Sequence, residues 1–308
     1  MNLHNTLQRL KPWMLPIAMV CGILFHGVIG AVQFLAPYLI FTMLLITFCK
    51  IEPSEFRISR LTWSVVAVQL VCSVAVFFVL KPLSADLAEG TMICFLCPTA
   101  TAAPVITAML GGSIATVVAI SLLSNFMLAA LGPLFLAYIG SGAGAGLSFG
   151  HAFVIILSKV GPMVLGPLAA ALIMRAVWPR AHNALATRQA LSFYIWAISL
   201  ILVVGRAVTF AMAEPAERIP EMVALAMLAG GACVFQFIIG RRLGRRFGDC
   251  IAGAQGLGQK NTVLAVWLAT TYLNPISSIA PAAYIAWQNT INSLQIYLKS
   301  KKERHSGD

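Results

Sequence analysis

The sequence predicts an all-α membrane protein of ten transmembrane helices, arranged as two inverted five-helix repeats with one broken helix in each. Three observations lead there. Of the 308 residues, 59% are hydrophobic and 10% are charged, where a soluble domain carries about 25% charged residues. The apolar residues come in runs of about twenty, the length at which a helix crosses the hydrocarbon core. Two of these runs are interrupted by proline, glycine and polar residues, at 97–104 and 253–261. Ten such helices consume most of the chain and leave no room for a soluble domain.

The first segment, about 13–32, leads directly into a second at 34–49. It has no small-residue cleavage site, so it reads as a retained helix and not as a signal peptide. The third to fifth segments fall at about 61–80, 87–110 and 114–139. A Gly/Ser-rich linker, 140–150, separates the halves. The remaining five fall at about 151–177, 191–212, 222–239, 249–272 and 277–298. The chain is expected to form a single transmembrane domain: repeat 1 over about 11–140, repeat 2 over about 151–300, and a short tail at 299–308.

The net charge of +11 does not require a nucleic-acid partner, because basic loop residues set membrane orientation. With the N-terminus in the cytoplasm, sixteen of the 21 Lys and Arg fall on the cytoplasmic side. Lys81 and Arg218 fall outside, and Lys159, Arg206 and Lys260 lie within membrane segments. Asp86, Glu89, Glu214, Glu217 and Glu221 fall in outer loops. This distribution predicts a bacterial inner-membrane protein with both termini cytoplasmic. Five helices on each side of the linker make the halves enter from opposite faces, the inverted-repeat arrangement of many transporters. The seven cysteines are scattered. Cys94 and Cys97 have CxxC spacing, but no second pair or histidine cluster completes a metal site. No cofactor is expected.

The two broken segments occupy equivalent places, fourth and ninth. The first break reads Cys97-Pro98-Thr99-Ala100-Thr101-Ala102-Ala103-Pro104; the second reads Gly253-Ala254-Gln255-Gly256-Leu257-Gly258-Gln259-Lys260-Asn261. Proline removes a backbone donor and clashes with the preceding turn. Hydrocarbon penalises each freed polar group by several kcal/mol unless protein or a water-filled cavity covers it. These stretches therefore belong inside the bundle. Half-helix ends there offer N–H groups to an anion and carbonyls to a cation. Paired breaks of this kind are the best sequence pointer to a transporter binding site.

With these motifs in view, the chain resembles the bile acid:sodium symporter family. The carrying residues are Cys97-Pro98 with Thr101, then Gly258-Gln259-Lys260-Asn261 with Leu264-Ala265, then Pro281, Tyr284, Gln288 and Asn289. The resemblance runs from Phe41 through Tyr297. It implies ten helices in a core and a panel domain, broken helices 4 and 9 crossing at mid-membrane, and transport of organic anions, usually with sodium. The chain departs from the family at the sodium ligands. Gly256 stands at the family's glutamate and Lys260 at its glutamine. Ala103 and Pro104 replace a Ser-Asn pair, and Val117 replaces one helix 5 hydroxyl. Ser121 keeps the other hydroxyl, and Gln69 persists.

The expectation is thus a secondary transporter of a small organic anion, a carboxylate, in which the Lys260 ammonium replaces a bound sodium. A lysine charged throughout would leave a uniporter or exchanger. A lysine that gains and loses a proton would couple transport to protons. Substrate or ion contacts are expected from Lys260, Asn261, Gln259, Gly258, Gly256, Gln69, Pro98, Thr99, Thr101, Pro104, Ser121 and Asn289. Lys159, followed by Gly161-Pro162, is placed to attract an anion or to snorkel; Arg206 is expected to snorkel. Three embedded cations with no embedded carboxylate favour an anionic substrate. Sodium is not expected as a partner, and membrane lipids are. The alternative is a non-transporting sensor or scaffold that keeps the fold. An enzyme is not expected, since the chain has no serine elbow and no metal-ligand spacing.

Overall fold

The computed structural model describes residues 14–49, 58–100, 102–142 and 149–305. Among them the architecture is wholly helical. In chain order the helices are α1 Met14–Leu24, α2 Ala36–Cys49, α3 Arg60–Leu80, α4 Ala85–Leu96, α5 Ala103–Leu110, α6 Ile114–Gly142 and α7 Phe149–Val177. They continue as α8 Pro179–Thr187, α9 Gln189–Ala213, α10 Ile219–Arg246, α11 Cys250–Gly258, α12 Thr262–Tyr272 and α13 Ile279–His305. A helical turn at His26–Ile29 and a 3-10 segment at Gly30–Leu35 join α1 to α2. Among the described residues, four stretches are long and apolar enough to cross a membrane: His26–Cys49, Arg60–Leu80, Ile114–Ile139 and Ala216–Arg246. Shorter apolar helices accompany them at Leu165–Val177, Ala197–Ala213 and Thr262–Tyr272. The chain is a helical membrane protein.

Local sequence accounts for the helix starts. Ser59 caps α3 reciprocally with Thr62: the Thr62 N–H donates to Ser59 Oγ at 3.1 Å, and the Ser59 N–H to Thr62 Oγ1 at 3.3 Å. This satisfies two of the donors that a helix start leaves free. Ser84 caps α4 by accepting from the Leu87 N–H, and Asp249 caps α11 by accepting from the Ala252 N–H at 2.8 Å. Gly111, at φ 84, closes α5 in the left-handed region that favours glycine.

The fourth expected segment is two helices, α4 and α5, and the ninth is likewise α11 and α12. Both ends of the expected linker are helical, since α6 runs through Gly142 and α7 begins at Phe149; its middle, 143–148, lies outside the described residues. α8 was not expected. Pro179 starts it, and its polar sequence, PRAHNALAT, suits a surface helix.

Helices α1 and α2 pack on α9, and α2 also on α7; this group meets the helices of the breaks through α7 on α6 and α9 on α12. The second group surrounds the breaks: α4 packs on α3, α10 and α13, and α11 packs on α10. Glycines set the α10–α11 spacing. A Cβ on Gly240 or Gly253 would overlap the other's backbone oxygen, and one on Gly244 would overlap Asp249. Backbones approach this closely in membranes only where side chains are absent.

Candidate functional site

The two unwound stretches lie against each other. Thr99 and Lys260 form an isolated antiparallel bridge. The Ala100 N–H donates to the Gln259 carbonyl at 2.8 Å, and the Asn261 N–H to the Pro98 carbonyl at 2.8 Å. Each break thus satisfies backbone groups that the other's loss of helix leaves free, as buried irregular backbone requires.

Side chains complete the joint. Thr99 Oγ1 donates to the Gly256 carbonyl at 2.6 Å. The Thr99 N–H donates to Ser124 Oγ at 3.1 Å, and Ser121 Oγ donates to the Thr99 carbonyl at 3.4 Å. Asn261 caps α12, accepting from the Leu264 N–H at 3.2 Å, the usual role of a short amide at a helix start. Pro104 lies in the first turn of α5, where its missing N–H costs nothing.

Lys260 is 1% exposed. Its Nζ donates to the Phe95 carbonyl at 3.0 Å, in the last turn of α4. Gln69 Nε2 donates to the next two carbonyls, Leu96 and Cys97, at 2.9 Å each. A helix C-terminus leaves carbonyls unpaired and carries roughly half a negative charge. An ammonium and an amide therefore neutralise the end of α4. No carboxylate takes part, and the only ion pairs among the described residues are at Arg218.

A side chain at the Gly256 position would have to displace Ile120. A Cβ there would lie 2.6 Å from Ile120 Cδ1 of α6. Gly258 packs against the Phe237 ring, and its carbonyl accepts from Tyr284 Oη at 2.8 Å.

The expected residues divide as follows. Pro98, Thr99, Gly256, Gly258, Gln259, Lys260, Asn261, Gln69 and Ser121 come together at the joint; Pro104 starts the helix that leaves it. Asn289 keeps a buried Nδ2 without a partner, as do Gln259 Oε1 and Asn261 Nδ2. Thr101 and the Lys159 side chain lie outside the described residues. Arg206 does not reach for an interface: its Nη2 donates to the Thr270 carbonyl at 3.2 Å, in the last turn of α12, with its guanidinium over Phe210.

Besides Ser124 and Tyr284, sequence reasoning missed three contributors as site residues. Gln288 Oε1 accepts from the Lys260 N–H at 3.0 Å. Gln236 Nε2 donates to Tyr284 Oη at 3.0 Å and to the Cys94 carbonyl at 3.3 Å. Buried amides in apolar helices were the available signal. The third, the Phe95 carbonyl, is backbone and leaves no trace in residue type.

Fold and site together define a helical membrane protein with two interrupted helices joined around a buried lysine. No protein-family model matches the chain. It is similar to YocS of Bacillus subtilis (strain 168), described as an uncharacterized sodium-dependent transporter, at 25% identity over 227 residues. The match covers 71% of this chain and 66% of that protein, so the chain spans just under two thirds of the relative's length.

Proposed function

We propose that the chain is a secondary transporter that moves a small organic anion, a carboxylate, by alternating access, without a sodium requirement. The observation that carries this reading is Lys260 Nζ on the Phe95 carbonyl. The end of a broken helix offers carbonyls to a cation, and here the cation is covalently part of the chain. Ile120 against Gly256 supports the same reading, because it fills the space where an acidic ligand would have to stand. The buried, unpartnered Asn261 Nδ2 and Asn289 Nδ2 are donors suited to a carboxylate. The similarity to a named transporter supports the class; on the ion, this reading departs from that relative's name.

The accompanying architecture is ten spans in two inverted repeats, about 11–140 and 151–300. Both termini face the cytoplasm of a bacterial inner membrane. Lys260 acts either as a fixed charge or as a proton carrier.

A carboxylate panel screened by thermal shift on purified protein would find the ligand. Uptake and counterflow in sealed vesicles, without sodium and at two pH values, then test the mechanism. The expected result is sodium-free transport that Lys260→Gln reduces. If the rate depends on pH, Lys260→Gln abolishes that dependence where the lysine carries the proton and preserves it where the charge is fixed. A strict sodium requirement overturns the substituted-ion reading. A protein that binds and exchanges no carboxylate is instead the non-transporting scaffold.

A further inference from the structure

The exposed face of α10 carries a stripe that the joint does not use. Val223, Met227, Gly231, Val234 and Ile238 recur at intervals of four and three, and Arg242 and Arg245 continue the same interval. Residues at this spacing share one helix face. The five apolar members are exposed, as are both arginines.

The apolar part of this face is a groove of about 480 Å³ lined by Met227, Gly231, Val234, Phe235, Ile238 and Trp287. Its walls are held in place. Trp287 Nε1 donates to the Ala226 carbonyl at 3.0 Å, and the Trp287 ring packs on Gly230. Phe235 stacks edge-on against Phe95, with centroids 6.0 Å apart. At the floor, a Cβ on Gly231 would meet nothing within 4 Å.

The arginines lie at one end of this groove. No ion pair reaches Arg242 or Arg245 among the described residues. The acid nearest in sequence, Asp249, already accepts from the Ser113 and Ala252 N–H groups at 2.8 Å each. Eleven residues separate Gly231 from Arg242, about 16 Å at 1.5 Å per residue. That is about half of a 30 Å hydrocarbon core, the depth of one leaflet.

We propose that this face binds an anionic phospholipid, with an acyl chain in the groove over Gly231 and the headgroup phosphate on Arg242 and Arg245. Charge selects this occupant. A two-fold pairing of copies through the groove would set each copy's Arg242 and Arg245 against the other's. A phosphate instead accepts from both guanidinium groups. The site is separate from the joint at Lys260 and does not depend on the transport reading.

The test uses delipidated full-length protein in detergent, titrated with phosphatidylglycerol, phosphatidylcholine of the same chains, or inorganic phosphate. Native mass spectrometry reads the bound lipid and thermal shift reads the stabilisation. Phosphatidylglycerol is expected to bind at least tenfold more tightly than phosphatidylcholine. R242Q/R245Q is expected to weaken phosphatidylglycerol about thirtyfold, the factor of two basic contacts at an anionic headgroup layer. Gly231→Leu fills the groove in open space and is expected to lose lipid binding while staying folded. R180Q/R188Q, which removes two exposed arginines elsewhere, is expected to change nothing. Four results overturn the proposal. They are equal binding of the two lipids, equal loss in both double-arginine variants, or inorganic phosphate stabilising as well as phosphatidylglycerol. The fourth is a dimer by light scattering that Gly231→Leu converts to a monomer.

Discussion

Replacing Lys260 by methionine separates a functional lysine from a structural one. Methionine is unbranched and close to lysine in length, so it refills the site with little cavity cost. Two opposing terms decide the outcome. The Phe95 carbonyl, which accepts from Nζ at 3.0 Å, loses that partner in a buried place, at about 1–3 kcal/mol. The neighbouring Leu96 and Cys97 carbonyls keep Gln69, so the loss is confined to one acceptor. Against it stands the relief of an ammonium at 1% exposure with no carboxylate partner among the described residues. At the centre of a membrane helix a lysine costs about 2.5–3.5 kcal/mol on insertion scales. The difference places Lys260→Met between near neutrality and a gain of about 2 kcal/mol, while transport falls at least tenfold. The assay is thermal unfolding in detergent, read beside carboxylate counterflow in vesicles. A variant that unfolds at a much lower temperature would refute the reasoning. The lysine would then be a helix cap whose retention stability alone explains.

Thr99→Val leaves the Gly256 carbonyl without its 2.6 Å donor and is expected to cost about 1–3 kcal/mol; Thr99→Ser should restore most of it, by the same melting assay. Gly253→Ala drives a methyl into the Gly240 carbonyl, and overpacking against rigid backbone should cost at least about 1–3 kcal/mol, seen as loss of monodisperse protein on mild heating. Arg218→Gln removes the one cation shared by Asp86, Glu214 and Glu221. It should lower stability by about 1 kcal/mol, with the gap to the parent closing in 1 M salt as charges are screened.

The breaks were legible because proline and glycine act through backbone covalent structure, which the sequence states directly. Pro98, Pro104 and Gly258 mark the unwound stretches within a residue or two. Lys260 stood out for a related reason: one ammonium among apolar neighbours needs an explanation. Its partner was not legible. The Phe95 carbonyl has no residue-type signature, and only the fold brings it to Lys260 across 165 positions. Ile120 was hidden in the same way: it reads as one more apolar residue of α6 until the fold sets it against Gly256. α8 was not legible because a polar nine-residue helix carries none of the long apolar runs that mark a membrane span.

The embedded cations change meaning once their partners are known. Counted in the sequence, Lys159, Arg206 and Lys260 suggest a net positive interior that draws an anion by field alone. In the fold, Lys260 donates to the last turn of α4 and Arg206 to the last turn of α12. Lys299, in α13, does the same for α5 through the Met109 carbonyl at 3.0 Å. Each half-helix end carries roughly half a negative charge, so part of each cation's field is spent where it binds. Direct pairing of a substrate carboxylate with Lys260 Nζ would have to compete with the Phe95 carbonyl. Among the buried groups with donors to spare are two amides, Asn261 Nδ2 at the start of α12 and Asn289 Nδ2 on α13. The helix start at Asn261 adds the positive end of its dipole. On this geometry Lys260 holds the end of α4, and the amide donors are the first candidates to contact a carboxylate. Asn261→Asp tests that division of labour. The carboxylate still caps α12, so the fold should persist, but it replaces a donor by an anion. A carboxylate at this 4% exposed position costs about 2.5–3.5 kcal/mol on insertion scales, so the unliganded protein should melt lower, and carboxylate binding, read by equilibrium titration below that melting temperature, should fall at least tenfold. Unaltered binding would return the anion contact to Lys260.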